Sequence, residues 1–151
     1  MEGIDTQMAA RVWKRVKAPA QPAPAEAVGL LALLFQSHGL AGLYLGLQRR
    51  LTGESAAQAR DLYRRHGRLS ACLKGMLLAS GEPLPGLPPM VAGTGSLRSI
   101  LEGCFHREQR LMHGLAGHTG DEKLGPVCRL LAEQSAQRAA MVLEILGEVK
   151  L

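Results

Sequence analysis

Polar residues stand where apolar ones are expected at four places in this chain. Ser37, His66, Glu108 and Gln134 with Arg138 each interrupt a stripe of apolar residues spaced three and four apart, at comparable depth along their segments. Buried polar groups must find partners, so four interruptions at one level predict a polar pocket between helices. His66 and Glu108 are the types that ligate metals or move protons. Arg138 brings a fixed positive charge. Reflecting the segment of Glu108 onto that of Arg138 about the loop near Asp121 places Glu108 level with Gln134. Arg138 is then one helical turn away, about 6 Å at 1.5 Å per residue. A charge-assisted Glu108–Arg138 pair is therefore expected, with His66 or Tyr63 beside it.

A second constellation is Glu102, His106, Gln109 and His113, at steps of four, three and four, with His118 just beyond. Such a face can hold a single divalent ion. It lies off the apolar stripe, which favours a solvated surface. Cys104 falls in a core stripe, and Cys72 and Cys128 are likewise read as packing thiols; no C-x-x-C occurs, so a zinc knuckle or disulfide framework is not expected. The basic run Arg49, Arg50, Arg60, Arg64, Arg65 and Arg68 is interleaved with Glu54 and Asp61 and has no aromatic platform. A solvated face is expected there, not nucleic-acid binding. No phosphate loop, Ser-His-Asp ordering or nucleotide fingerprint is present.

The elements that position these residues follow from composition and punctuation. The chain has 151 residues, 46% hydrophobic, 21% charged and only 3% aromatic, with a formal net charge of +5. Leu, Ala and Gly dominate and strand formers are scarce, which predicts an all-α protein with a core large enough to need no staples. Residues 1–17 suit a short amphipathic helix, Ile4 to Val16, packed through Trp13. Residues 18–25, rich in Pro and Ala, form a linker. Residues 26–151 form the bundle. Its helices run from about Glu26 to Leu51, from an N-cap at Ser55 to Ala79, from Leu97 to Ala116, and from a cap at Thr119 or Asp121 to about Val149. The stretch Ser80 to Ser96 holds four prolines and is a crossover. The stripes include Leu33, Leu40 and Leu47; Leu62, Leu69 and Leu73; Leu101, Cys104 and Leu111; and Val127, Leu130, Leu131 and Ile145. An antiparallel four-helix bundle with a long connection between helices two and three is the expected architecture. Val28 to Leu47 is long enough for a bilayer, yet Gln36, Ser37 and His38 sit at its centre, so a buried core helix is expected. The first residues lack the h-region of a signal peptide, and reduced thiols suit the cytoplasm.

Three segments carry a resemblance. They are VWKRV (Val12 to Val16) ahead of a Pro-rich linker, ARDLYRRHGRLSACLKGML in the second bundle helix, and CRLLAEQSAQRAAMVLEILGE in the last. With them, and with the order of its helices and connections, the chain resembles the rubrerythrin-like branch of the ferritin-like superfamily across nearly its whole length. The N-terminal segment looks like that of the small ferritin-like proteins of anaerobic bacteria. No rubredoxin-type cysteine pairs follow, so the resemblance covers at most the bundle half of a rubrerythrin. It implies two iron or manganese ions held by one Glu from each of two helices and Glu-x-x-His from each of the others. Carried onto this sequence, the first Glu falls at Ser37 and the first Glu-x-x-His on Tyr63 and His66. The third-helix Glu falls at Phe105, or one turn on at Glu108. The second Glu-x-x-His falls on Ser135 and Arg138. Only His66 and Glu108 remain as metal ligands.

The expectation is therefore a non-catalytic ferritin-like bundle that has lost its di-iron centre, with no catalytic residue and no cofactor. It would act through association, with a homo-oligomer through its helix faces as one form, and with no nucleic-acid, membrane or small-molecule partner identified. The alternative is a residual metal-binding or peroxide- or oxygen-handling oxidoreductase that uses iron or manganese at His66 and Glu108. A second alternative, a membrane-associated helical protein, rests on Val28 to Leu47.

Overall fold

The computed structural model describes residues 28–149; the expected helix around Trp13 and the 18–25 linker lie outside them. The described residues form four helices and no strand: α1 (Leu30–Arg50), α2 (Gly53–Ala79), α3 (Leu97–Ala116) and α4 (Gly125–Glu148). The α1–α2 connection is only Leu51 and Thr52. Gly53 opens α2 at φ +59, a left-handed conformation that glycine adopts without the Cβ penalty other residues incur. That reversal starts α2 earlier than expected. Ser55 is not an N-cap but lies inside the helix, where its hydroxyl donates to Glu148 at 3.0 Å.

Ser96 caps α3 by accepting the Ser99 N–H at 3.1 Å. Neither Thr119 nor Asp121 caps α4 as expected. The Thr119 hydroxyl donates back to the Ala116 carbonyl and finishes α3. Asp121 Oδ1 accepts the N–H groups of Lys123 and Leu124 and closes a turn ahead of α4. Gly125 and Pro126 then begin α4, a position where the missing proline N–H costs nothing.

The helices pack in a ring, with α1 against α2, α3 against α4, and the α1–α3 and α2–α4 sides closing it; the α2–α4 side is the sparsest. Leucines such as Leu33, Leu40, Leu62, Leu73, Leu101 and Leu111 fill the centre. On α4, Leu131, Arg138 and Ile145 face inward as the expected stripe has them, but Val127 and Leu130 do not. Val127 is 39% and Leu130 53% exposed, while Cys128, Ala132, Ser135, Ala139 and Val142 face inward. Four of these five inward residues are small, and small side chains give a weak hydrophobic signal.

The 80–96 crossover runs over the outer side of α1. Gly42 and Gly46 give it room: a Cβ at Gly42 would lie 2.9 Å from the Val91 carbonyl oxygen, and one at Gly46 would lie 2.7 Å from the Ala92 Cβ. His38 Nε2–H donates to the Pro88 carbonyl at 2.6 Å and Arg50 to that of Gly95 at 2.9 Å, pinning the middle and the far end of the crossover. By length and composition α1 is apolar enough to cross a membrane, and half of its most apolar window is buried inside the bundle.

Candidate functional site

The centre of the bundle holds a closed polar cluster to which every helix contributes. Ser37, His66, Glu108 and Ser135 are fully buried and Arg138 is 1% exposed. Glu108 on α3 is the hub. Its Oε1 accepts from Arg138 Nε of α4 at 3.0 Å. Its Oε2 accepts from His66 Nε2–H of α2 at 2.6 Å and from the Tyr44 hydroxyl of α1 at 2.7 Å. Arg138 Nη2 donates to Ser135 one turn back at 2.6 Å. The Tyr44 and His66 rings stack with centroids 5.5 Å apart.

The protonation pattern follows from who can donate. An ionised carboxylate only accepts, so His66 presents Nε2–H to Glu108. Burial holds the His66 pKa below its ordinary value despite the Glu108 carboxylate beside it. The neutral ring then accepts at Nδ1 from the Ser37 hydroxyl at 3.0 Å, which in turn accepts from Ser70 at 3.0 Å. The Ser37 hydroxyl also lies 3.3 Å from the His66 carbonyl. Burial alone would raise Glu108. The opposing pull of His66 and Arg138, with hydrogen bonds from His66 and Tyr44, outweighs it and keeps the carboxyl below its ordinary range. Burial and the adjacent Glu108 charge push the Tyr44 phenol well up. At neutral pH the cluster is one carboxylate, one guanidinium and neutral donors.

Most residues singled out by sequence meet here. Ser37, His66, Glu108, Ser135 and Arg138 are joined, and Glu108, not Phe105, is the inward residue of α3. Phe105 is half-buried and sits edge-on to His106. Tyr63 is half-buried against the apolar core and takes no part in the hydrogen-bonded cluster. Gln134 is also half-buried and lines a cavity between α2 and α4 instead. Glu102, His106 and His113 lie exposed on the outer side of α3. Among the described residues no group of three or more His, Cys, Asp or Glu is arranged to hold a metal. Sequence reasoning missed Tyr44 and Ser70. Both had a signal: Tyr44 lies seven residues after Ser37 on the same stripe, and a buried phenol needs a partner; Ser70 lies one turn after His66.

These residues do not fit the two-metal centre that the resemblance implies. Two hard cations need several carboxylates, and the cluster supplies one. Both of its oxygens are already taken by donors, and a guanidinium lies 3.0 Å from it. The order Ser37–His66–Glu108 also looks like nucleophile, base and orienting acid. With Ser37 fully buried beneath α2, no substrate reaches its hydroxyl.

No protein-family description, curated protein or solved structure matches the chain.

Proposed function

We propose that the protein is a non-catalytic, antiparallel ferritin-like bundle in which a Glu108–Arg138–His66–Tyr44 cluster fills the position where that family keeps its metals. The observation that carries this is the Arg138–Glu108 pair, 3.0 Å long with side chains 2% and 0% exposed. A fixed cation there opposes any added metal charge and neutralises the hub carboxylate. The protein then acts through what its surface binds. The two-residue α1–α2 connection supports the antiparallel order, as do hydrogen bonds linking the start of α2 to the end of α4: Ser55 to Glu148 and Gln58 to Glu144.

A cytoplasmic location and self-association through helix faces belong to the same proposal. The role of α1 supports a soluble bundle over a membrane span: its inner side delivers Ser37 and Tyr44 to the polar cluster, and its glycines carry the crossover. Anaerobic purification, followed by metal quantification and peroxide-reduction assays with added iron(II), tests the reading. Substoichiometric metal and no turnover above free iron(II) are expected. Two retained ions per chain with peroxide turnover would overturn it in favour of the oxidoreductase.

A further inference from the structure

The sparse α2–α4 side of the bundle contains a cavity of about 250 Å³. Arg65, Arg68 and Cys72 line it from α2, and Gln134 and Arg138 from α4, with Leu69 and Leu131 as its apolar walls. Among the described residues no acidic side chain lines it. Three guanidiniums therefore converge on one small space.

Their existing commitments differ. Arg65 uses Nε to bind Asp61 at 3.0 Å on the half-exposed outer side of α2, leaving its terminal nitrogens. Arg68 is exposed, and no ion pair or hydrogen bond engages it among the described residues. Arg138 is held from below: Nε goes to Glu108 and Nη2 to Ser135, while Nη1 makes no hydrogen bond among the described residues. Arg138 lines the cavity with a side chain only 2% exposed, so what it offers there is the edge not taken by Glu108 and Ser135.

We infer that this cavity is a binding site for a small oxyanion, a phosphate or carboxylate group, held by Arg68, Arg65 and the outer edge of Arg138, with the Gln134 amide as a further donor. Guanidiniums present parallel N–H donors that match oxyanion geometry, and apolar walls strengthen each contact. The volume lies below the roughly 300–1,000 Å³ of sites for drug-sized ligands, which selects a small molecule. The orientation of Arg138 is set by Glu108 and Ser135, so its donor is in place before the ligand arrives. This inference stands on the cavity lining alone and does not depend on the resemblance to ferritin-like proteins.

Cys72 supplies the probe. It is the half-buried thiol, in the cavity wall, while Cys104 and Cys128 are buried. The native protein is treated with N-ethylmaleimide at constant ionic strength in chloride, with increasing inorganic phosphate in one arm and succinate in the other; Cys72→Ser identifies the reacting thiol. Saturable protection of Cys72 by phosphate, succinate or both is expected, and the more effective arm identifies the group. Arg68→Gln should weaken protection about tenfold or more, the loss of a charge-assisted hydrogen bond. Arg60→Gln, an exposed change on the same helix outside the cavity, should leave it unchanged; both variants should keep the parent's circular dichroism. Absence of saturable protection in both arms overturns the inference. So does equal weakening by Arg60→Gln, which would show a diffuse charge effect.

Discussion

Truncating Glu108 to Ala should destabilise the protein more than any surface change can. The substitution removes the acceptor of three donors: Arg138 Nε at 3.0 Å, His66 Nε2 at 2.6 Å and the Tyr44 hydroxyl at 2.7 Å. It leaves a guanidinium 1% exposed with no counter-charge. Breaking a buried pair in this way costs about 3–5 kcal/mol, against about 0–1 kcal/mol for an exposed pair. Total stabilities are about 5–15 kcal/mol, so the loss is a large fraction and should lower Tm by roughly 6–20 °C. Arg138→Ala should also destabilise, but less at acid pH, where the orphaned Glu108 takes up a proton. The double variant Glu108→Leu/Arg138→Met should recover much of the loss, because apolar side chains of similar volume replace a buried pair at little cost. Urea unfolding followed by far-ultraviolet circular dichroism measures all four proteins. Single variants as stable as the parent would refute a buried hub at Glu108.

Stability should be highest from about pH 6.5 to 9. Because the folded-state pKa of His66 lies below its ordinary 6.5, the unfolded chain takes up a proton that the native one refuses as pH falls through that value. Glu108, also held down in the native state, adds a further loss as pH drops below its ordinary 4.5. On the alkaline side, burial pushes the Cys104 thiol from 9.0 to about 12, so stability declines once the unfolded thiol ionises above 9.0; urea midpoints across pH test both limbs. Separately, Gly46→Val should destabilise by about 1–3 kcal/mol and speed proteolysis within 80–96, since its Cβ would press on Ala92 and lift the crossover. Limited proteolysis no faster than the parent's would contradict that packing.

The bundle was legible because its signals are local. Helical spacing of leucines and the proline-rich 80–96 stretch each act within a few residues, and α3 begins and ends where the spacing puts it, at Leu97 and Ala116. The polar centre was legible from Ser37, His66, Glu108 and Arg138 because a charged group inside an apolar stripe has few alternatives. Partner choice was less so. Tyr44 reaches Glu108 because α1 and α3 pack side by side, a tertiary fact, whereas Tyr63, which occupies the family's first carboxylate position, packs against the apolar core. On α4 the spacing picks out Leu131, Arg138 and Ile145, which face inward, but not Ala132 and Ala139, whose small side chains carry no strong hydrophobic signal, and it includes Val127 and Leu130, which are exposed. The cavity could not be seen at all: Arg65, Arg68 and Arg138 converge only because α2 and α4 are spaced apart.

The most direct test of the interior charge cluster is nuclear magnetic resonance of the His66 imidazole nitrogens at neutral pH, before and after one equivalent of manganese(II). A neutral ring protonated at Nε2 is expected, with resonances neither shifted nor broadened by the ion. Selective paramagnetic loss of the His66 signals at stoichiometric manganese would place a metal where Arg138 is held to stand, and would contradict it.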